Sequence, residues 1–368
     1  EMIFWIEKGI EVSYDQLIED LNNDNPISEL SGYMYFLTLL KELTKGQIIF
    51  SVDSLIHYLI ENKDTLTFQI QTSGTTSTPK SISVKVSNCI RYVKKSKEES
   101  VRIWGMGYPY GSFASTQVFF QSLMNKETIL YIFGIDFKTS DQIFAKHRIT
   151  NLSCTPTFLS MLLINLKKEF KSILKITTGG EKMKNSLIKT FKKTFPSAEY
   201  INIYASTETG SLLYSKTEYF SIPEKDMSQL KIEDGTLRVH KSLLNEIEKT
   251  NAGWYDTNDL VEFVDEKQFK FVSRSNGYLN TGGFRVSPSQ IEEKIMGIEG
   301  VKDVHVYGRE NSLLGSIICA DIIGEGVSSK IIKTELINQS IEKHMIPQII
   351  RIVDLFEHVS NGKKKIMI

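Results

Sequence analysis

The pattern of apolar and polar residues predicts alternating strands and helices through the first two thirds of the chain. Short β-rich runs predict strands at 66–71, 128–133, 173–178 and 199–204. Apolar residues at helical spacing predict helices at 12–21, with Ser13 as a candidate N-cap, and at 33–43, 156–170 and 185–195. Strands that alternate with helices in this way predict an α/β fold, with a mostly parallel sheet covered by helices on both faces.

The pattern changes after about residue 274. Residues 273–295 are punctuated by glycine and serine and lead into a helix, and a compact α+β segment follows. We therefore predict a large N-terminal domain at 1–274 and a small, mobile C-terminal domain at 275–368, with the boundary near Asn276.

Composition narrows the class of partner. Lys+Arg and Asp+Glu both total 44, a balance that argues against a nucleic-acid or membrane-surface protein. The three cysteines are widely spaced, which predicts neither a disulfide nor a metal site and suits a reducing compartment. No apolar run approaches the roughly 20 residues of a membrane span, and the N-terminus lacks a signal-peptide pattern. We expect a cytoplasmic protein.

The stretch TSGTTSTPKS at 72–81 differs from a kinase-type phosphate loop at one position, where Pro79 replaces a glycine. Proline has no N–H, whereas that loop wraps the phosphates with backbone amides, so a kinase-type NTPase is disfavoured. Hydroxyls and amides here could still bind the β- and γ-phosphates of ATP, with positive charge from Lys80. The alternative is an ordinary Ser/Thr turn. The loop residues of the candidate phosphate site are Thr72, Ser73, Gly74, Thr75 and Thr76.

Two further candidates lie at and just after the end of the strand at 199–204. Glu208, directly after Thr207, could hold Mg²⁺, which prefers carboxylate and phosphate oxygens. Tyr204 could stack on adenine. The alternatives are a capped helix start for Thr207 and Glu208, and a core position for the tyrosine.

Three charged residues nearer the C-terminus complete the candidate site. Asp259 could hold the ribose hydroxyls, with Arg274 as its partner, although such a pair could equally be a plain interdomain ion pair. Lys363 follows a tight turn at Asn361 and Gly362, which could direct the lysine inward, but a run of lysines is also typical of a solvated tail.

These segments together resemble the adenylate-forming superfamily of acyl- and aryl-CoA ligases, peptide-synthetase adenylation domains and luciferases. In size and layout the chain is similar to compact ligases of the o-succinylbenzoate–CoA ligase type. The matching segments, in the family's order, are 72–80, TTGGEKM at 177–183, YASTETG at 204–210, GWYDTNDLV at 253–261, 273–293 and SNGKKK at 360–365.

The resemblance implies a two-step reaction. ATP and Mg²⁺ would convert a carboxylic acid to an acyl-adenylate, and a thiol of CoA or of carrier-protein phosphopantetheine would then give a thioester. It implies that Gly180 and Glu181 contact the nucleotide and that Thr207, Glu208 and Lys363 are catalytic. In the second step the small domain would turn about the hinge, bringing 280–284 to the thiol.

Several positions depart from the family pattern, and they keep a second interpretation open. Ser77, Ala205 and Asn258 stand where the family has glycine, and Asn276 replaces a hinge carboxylate. A degenerate member that binds nucleotide as a non-catalytic sensor is the alternative; the retained charged residues oppose it. The expected walls of the acid pocket, 104–113 and 154–161, are apolar and aromatic, which predicts an aryl or medium acyl acid.

Overall fold

The structure is a computed structural model. It describes residues 2–23, 29–72, 80–95, 102–183, 185–245, 250–274, 279–281, 284–311, 315–354 and 356. The chain divides into two compact units. The first comprises Glu1–Gln229 and Val239–Tyr255, and the second comprises Leu230–Arg238 and Asp256–Ile368. The boundary predicted between residues 274 and 275 as a hinge falls inside the second unit, and residues 275–278 lie outside the described residues, so the hinge stays a prediction.

The strands are numbered along the chain. They are β1 (Ile3–Glu7), β2 (Ile10–Ser13), β3 (Thr67–Thr72), β4 (Lys80–Lys85), β5 (Ile103–Gly107), β6 (Thr128–Tyr131), β7 (Asn151–Cys154), β8 (Lys175–Gly179), β9 (Glu199–Ser206), β10 (Gly210–Ser215), β11 (Leu230–Glu233), β12 (Thr236–His240), β13 (Trp254–Phe263), β14 (Phe269–Arg274), β15 (Leu279–Thr281), β16 (Phe284–Val286), β17 (Val301–Asn311), β18 (Gly315–Gly324) and β19 (Ile349–Ile352).

The helices are numbered in the same way. They are α1 (Tyr14–Asn22), α2 (Ser31–Thr44), α3 (Val52–Glu61), α4 (Val86–Ile90), α5 (Phe113–Asn125), α6 (Ser140–His147), α7 (Pro156–Asn165), α8 (Asn185–Thr194), α9 (Pro288–Met296) and α10 (Ser329–Asn338). Short 3-10 turns lie at Phe137–Thr139, Glu224–Asp226, Lys241–Leu243 and Lys343–Met345. Among the described residues, no helix is both long and apolar enough to cross a membrane.

The first unit is built on an eight-stranded sheet with the order β10-β9-β8-β7-β5-β6-β1-β2. The strands from β9 to β1 run parallel to their neighbours, and the edge strands β2 and β10 are antiparallel. The predicted α/β fold with a mostly parallel sheet is confirmed.

Helices cover both faces of this sheet because successive side chains of a strand point to opposite sides. In β6, Ile129 and Tyr131 enter a core formed with α1, α2, α3 and α5. Leu130, between them, enters a second core formed with α6, α7 and α8. The sheet is therefore buried on both faces, which is why β6 reads as a continuous apolar run.

Most of the helices predicted from capping residues and apolar spacing lie within a few residues of their observed bounds. The Ser13 hydroxyl accepts a hydrogen bond from the Gln16 backbone N–H at 3.0 Å, so the predicted N-cap of α1 is confirmed. One helix is shorter than predicted. α7 ends at Asn165 rather than at 170, since Leu166 is extended and the Lys167 N–H donates to the Asp141 carboxylate instead of continuing the helix.

The strand predicted at 66–71 is present as β3, but it is not part of the large sheet. β3 pairs with β4 in a separate two-stranded antiparallel sheet, in which Thr72 lies opposite Lys80. The predicted phosphate loop is therefore the connection of a hairpin, and its residues 73–79 lie outside the described residues.

The second unit contains two smaller sheets. The order of one is β11-β12-β13-β14, and the ends of β12 and β13 belong to the first unit. In the other, β17 pairs antiparallel and β19 pairs parallel with β18. Apolar side chains of α9 and α10, such as Ile291, Ile295 and Leu336, pack against β17 and β18 to form a core. This agrees with the α+β character predicted for the C-terminal part.

Candidate functional site

Segments that the sequence assigned to acid and nucleotide binding follow neighbouring parallel strands of the first unit. They begin after the ends of β5, β7, β8 and β9, at Gly107, Cys154, Gly179 and Ser206. Because the carboxyl ends of parallel strands share one edge of a sheet, these segments lie together. In open α/β sheets, ligands bind at this edge.

The turn after β8 is shaped by two glycines. A Cβ on Gly179 would lie 3.1 Å from the Ile203 carbonyl oxygen, and Gly180 has a φ of +83°, which favours glycine. The Glu181 carboxylate then accepts a hydrogen bond at 3.0 Å from the Thr157 backbone N–H, in the first turn of α7. Glu181 thus links two of the site loops. The nucleotide contacts of Gly180 and Glu181 stay predictions.

Glu208 lies in the tight turn between β9 and β10. Both Glu208 and Thr207 are half-buried. The Ser206 and Thr209 hydroxyls lie 3.0 Å apart across this turn. Tyr204 is half-buried two residues before the end of β9. The predicted Mg²⁺ residue and the predicted adenine residue are therefore on one strand end.

This turn is held by a buried asparagine that the sequence did not single out. Asn245 is 2% exposed; its Nδ2 donates to the Thr207 carbonyl at 2.7 Å, and its backbone N–H donates to the Glu208 carbonyl at 2.8 Å. Its Oδ1 accepts from the Lys85 backbone N–H at 3.2 Å and from Asn88 Nδ2 at 2.5 Å. We call this arrangement the Asn245 clamp. An asparagine after two leucines carries no local signal of such a role.

The clamp connects the Glu208 turn with the strand that follows the predicted phosphate loop. β4 runs from Lys80 to Lys85, and Lys85 is one of the residues bonded to Asn245. The predicted phosphate residues Ser73, Gly74, Thr75 and Thr76 lie outside the described residues. For Thr72 and Lys80 the structure describes the backbone only. Lys363 also lies outside the described residues.

Asp259 and Arg274, the predicted ribose residues, occupy neighbouring strands of the second unit. They are directly opposite each other in the antiparallel pair β13–β14. Asp259 is 9% exposed, and its backbone N–H donates to the Thr257 hydroxyl at 3.1 Å. The same hydroxyl donates to the Leu237 carbonyl at 2.9 Å. The two residues are therefore sheet neighbours, while their contact with ribose stays a prediction.

The structure explains one departure from the family pattern. Asn258, where the family has glycine, has a φ of +59°. Asparagine is among the few non-glycine residues that adopt this left-handed conformation readily. Its backbone N–H also donates to Asp256 Oδ1 at 2.8 Å. The substitution therefore keeps the backbone turn that precedes Asp259.

We expect Asn258→Val to lower the free energy of unfolding by about 1–2 kcal/mol, because a β-branched side chain is strained at this φ. Asn258→Gly should stay within about 1 kcal/mol of the parent. Urea denaturation measures both. The matched control is Asn338→Val, at an exposed position in α10, because asparagine and valine have similar helix propensities. Equal losses at positions 258 and 338 would contradict the strain argument.

The expected acid-pocket walls are in contact with each other. The Tyr108 hydroxyl donates to the Cys154 carbonyl oxygen at 2.8 Å. Burial raises the pKa of the Tyr108 hydroxyl and of the Cys154 thiol, so both are neutral near pH 7 and the thiol is not an activated nucleophile. Tyr110 is 44% exposed. Neither 104–113 nor 154–161 contains a charged residue, which suits an apolar acid.

The side chains near the Glu208 turn suit a metal ion that binds together with the phosphates of a nucleotide. Within the described part of the chain, no group of three or more His, Cys, Asp and Glu residues could hold a metal ion by itself. Mg²⁺ usually binds through one or two carboxylates together with phosphate oxygens. The Glu208 carboxylate, on a turn bonded to β4, offers that kind of ligand.

Family models match both parts of the chain. A model for AMP-binding enzymes matches residues 35–232, more than half of the 368 residues. The chain belongs to the AMP-binding enzyme family. A model for the C-terminal domain of AMP-binding enzymes matches residues 290–363, up to the predicted lysine. The adenylate-forming resemblance is thereby confirmed.

The curated relatives of this chain share less than a third of its residues in the matched region, and their own chains are longer. The 2-succinylbenzoate–CoA ligase of Bacillus pumilus (strain SAFR-032) is 26% identical over 285 residues, which cover 68% of this chain and 58% of the ligase. Bacitracin synthase 3 of Bacillus licheniformis is 22% identical over 338 residues, which cover 81% of this chain and 5% of the synthase. The chain thus spans just over half of one relative and a small part of the other.

Solved structures confirm the fold of this family member. The o-succinylbenzoate CoA synthetase of Bacillus subtilis, in complex with ATP and magnesium ion, superposes with a TM-score of 0.67 at 16% identity, covering 99% of this chain and 95% of that chain. ATP-bound MatB from Rhodopseudomonas palustris superposes with a TM-score of 0.66 at 14% identity, covering 98% and 93%.

Proposed function

We propose that the chain activates a carboxylic acid with ATP and transfers it to a thiol. The carboxylate oxygen attacks the α-phosphorus, which forms the acyl-adenylate and releases pyrophosphate. The thiol sulfur then attacks the acyl carbon, which forms the thioester and releases AMP. The family assignment and the adenylate-forming motifs support this reaction.

One observation carries the proposal. Hydrogen bonds of Asn245 join the carbonyls of Thr207 and Glu208 to the Lys85 N–H at the end of β4. β4 begins at Lys80, where the predicted phosphate loop ends. The turn that carries the carboxylate proposed for Mg²⁺ is therefore bonded to the β3–β4 hairpin that carries the loop proposed for the phosphates, at the end of β4 away from that loop.

Each residue has a proposed role. The hydroxyls and amides of the loop and the charge of Lys80 bind the β- and γ-phosphates. Thr207 and Glu208 lie at the phosphates, and Mg²⁺ held there would neutralise charge as pyrophosphate leaves. Gly180, Glu181 and Tyr204 contact the base, and Asp259 with Arg274 holds the ribose. Lys363 supplies positive charge in the first step. The loop residues are Thr72, Ser73, Gly74, Thr75 and Thr76.

The substrate is proposed to be an aryl or medium acyl acid. The uncharged, aromatic segments 104–113 and 154–161 support an apolar acid. CoA is the proposed thiol, supported by the relatives named as 2-succinylbenzoate–CoA ligases, and carrier-protein phosphopantetheine is the alternative. A cytoplasmic location is proposed because Cys89, Cys154 and Cys319 are free thiols.

ATP–pyrophosphate exchange tests the proposal. The protein is incubated with ATP, Mg²⁺, labelled pyrophosphate and single acids from a panel of aliphatic and aromatic carboxylates. Label should enter ATP only when a suitable acid is present, and the rates rank the acids. ATP binding by calorimetry without exchange for any acid would instead support a non-catalytic nucleotide-binding member of the family.

Asp259→Ala is expected to raise the ATP concentration needed for half-maximal exchange by about a hundredfold or more. A hydrogen bond to a charged group contributes about 1.5–3 kcal/mol, and the carboxylate is proposed to accept two. The matched control is Glu262→Ala, which removes an exposed acid from the same strand. An unchanged ATP requirement in Asp259→Ala would mean that this aspartate only stabilises the sheet.

A further inference from the structure

The geometry points to Asn245 as a positioning residue that fixes the Thr207–Glu208 turn for MgATP binding. The inference rests on the proposed function. Asn245 contacts the turn through its backbone N–H and its Nδ2, and it contacts the end of β4 through its Oδ1. It is thus a clamp between two segments that the proposed reaction uses, and it is not itself a ligand of the nucleotide.

The orientation of the clamp amide is determined by its partners. The Lys85 backbone N–H can only donate, so it requires Oδ1, and the Thr207 carbonyl can only accept, so it requires Nδ2. The hydrogen bonds of Asn88 support the same orientation of the Asn245 amide. The Arg91 guanidinium donates to Asn88 Oδ1, so Asn88 presents its Nδ2 to Asn245. If the Asn245 amide were rotated by 180°, its Nδ2 donor would face the Lys85 N–H and its Oδ1 acceptor would face the Thr207 carbonyl.

The two asparagine side chains of the clamp are buried, and their bonds to the Thr207 carbonyl and the Lys85 N–H are half-buried. Asn245 is 2% and Asn88 is 6% exposed. A buried polar group that loses its partner retains the full cost of desolvation. Removal of the Asn245 amide leaves the Thr207 carbonyl and the Lys85 N–H without that bond. The Asn245 backbone N–H still bonds the Glu208 carbonyl, so we expect the displacement to be centred on Thr207 and to shift the adjoining Glu208 side chain.

The expected effect is on the metal-dependent part of nucleotide binding. Residues that orient a metal ligand through hydrogen bonds typically change metal affinity by 10–100-fold when they are mutated. The Asn245 side-chain amide bonds the carbonyl of Thr207, the residue directly before Glu208, and this is the bond that a substitution removes. Its loss should therefore weaken the gain in nucleotide affinity that Mg²⁺ provides, more than it weakens metal-free binding.

The experiment is a calorimetric titration with α,β-methylene-ATP, which is not cleaved at the bond that adenylation breaks. Affinity is measured with EDTA and with saturating MgCl₂, and their ratio is the gain from Mg²⁺. Asn245→Asp is nearly isosteric but replaces the Nδ2 donor by an acceptor that faces the Thr207 carbonyl. We expect Asn245→Asp and Asn245→Ala to lower the ratio about tenfold or more. Asn88→Ala, which keeps both bonds to the turn, should lower it only a few-fold and provides the test if the Asn245 variants do not fold.

Asn22→Ala is the matched control for the loss of a two-sided amide clamp. Asn22 bonds the Ile49 carbonyl and the Ile49 N–H at 2.7 and 3.0 Å, and these bonds join the end of α1 to the segment before α3. It should lower the melting temperature and leave the ratio unchanged. The inference is overturned if the folded Asn245 variants keep the parent ratio, because the clamp then only stabilises the fold. If the Asn245 variants do not fold, the same conclusion follows from a parent ratio in Asn88→Ala. If the parent protein binds the analogue with no gain from Mg²⁺, both the proposed function and the inference are overturned.

Discussion

Glu208→Gln is expected to lose pyrophosphate exchange by about 10²–10³-fold while the protein stays folded. The substitution keeps the size of the side chain and removes its charge. The charge is proposed to hold Mg²⁺ at the departing pyrophosphate, and loss of one preorganised electrostatic contact typically costs this much. The loss should persist at all acid concentrations, because the acid is not the group bound by Glu208.

The control for this substitution is Glu224→Gln, which removes an exposed acid from the same unit. Its exchange rate and Mg²⁺ requirement should match those of the parent. Raising Mg²⁺ should recover part of the activity of Glu208→Gln, since the phosphate oxygens of ATP still bind the ion. Normal exchange by a folded Glu208→Gln variant would exclude Glu208 from the site.

Lys363→Ala is expected to separate the two half-reactions. Adenylation should fall by roughly 10²–10³-fold, because the lysine is proposed to supply positive charge at the α-phosphate. Thioester formation from preformed acyl-adenylate and CoA should continue at nearly the parent rate, since the small domain is predicted to turn about the hinge before this step and to carry the lysine away from the phosphate. Exchange measures the first step, and AMP release from the adenylate of the best acid in the panel measures the second.

Lys364→Ala is the matched control, because it removes the same charge one position further along the chain. It should leave both half-reactions near the parent rates. Equal losses in both half-reactions of Lys363→Ala would indicate a structural role for the lysine. Parent rates in both would assign the GKKK segment to a solvated tail.

Much of the fold was predictable because its signals are local. Short β-rich runs identified β8 and β9, and apolar residues at helical spacing identified α1 and α2, each within a few residues. Short motifs at the ends of strands, such as 72–80, 177–183 and 204–210, indicated the family, because each motif is a contiguous set of residues suited to binding nucleotide or metal. Asn258 needed both sources. The sequence showed that it stands where the family has glycine, and its φ of +59° shows that asparagine can adopt the backbone conformation required there.

Partner choice was not predictable, because periodicity describes which way a side chain points and not what it meets. The pattern at 66–71 predicts a strand equally well for a parallel sheet and for a hairpin, and β3 forms the hairpin. Similarly, the apolar run after Pro156 predicts a helix to 170, whereas a hydrogen bond from the Lys167 N–H to Asp141 in α6 replaces the next bond of that helix.

The sequence by itself determined the α/β class, the family and the candidate residues, because the motifs are contiguous and their order along the chain is retained. Only the tertiary structure decided how the Glu208 turn is held. Asn245 meets Lys85 and Asn88 across 160 and 157 residues of chain. A hydrogen bond depends on where two atoms lie after packing, and neither spacing nor composition records that position.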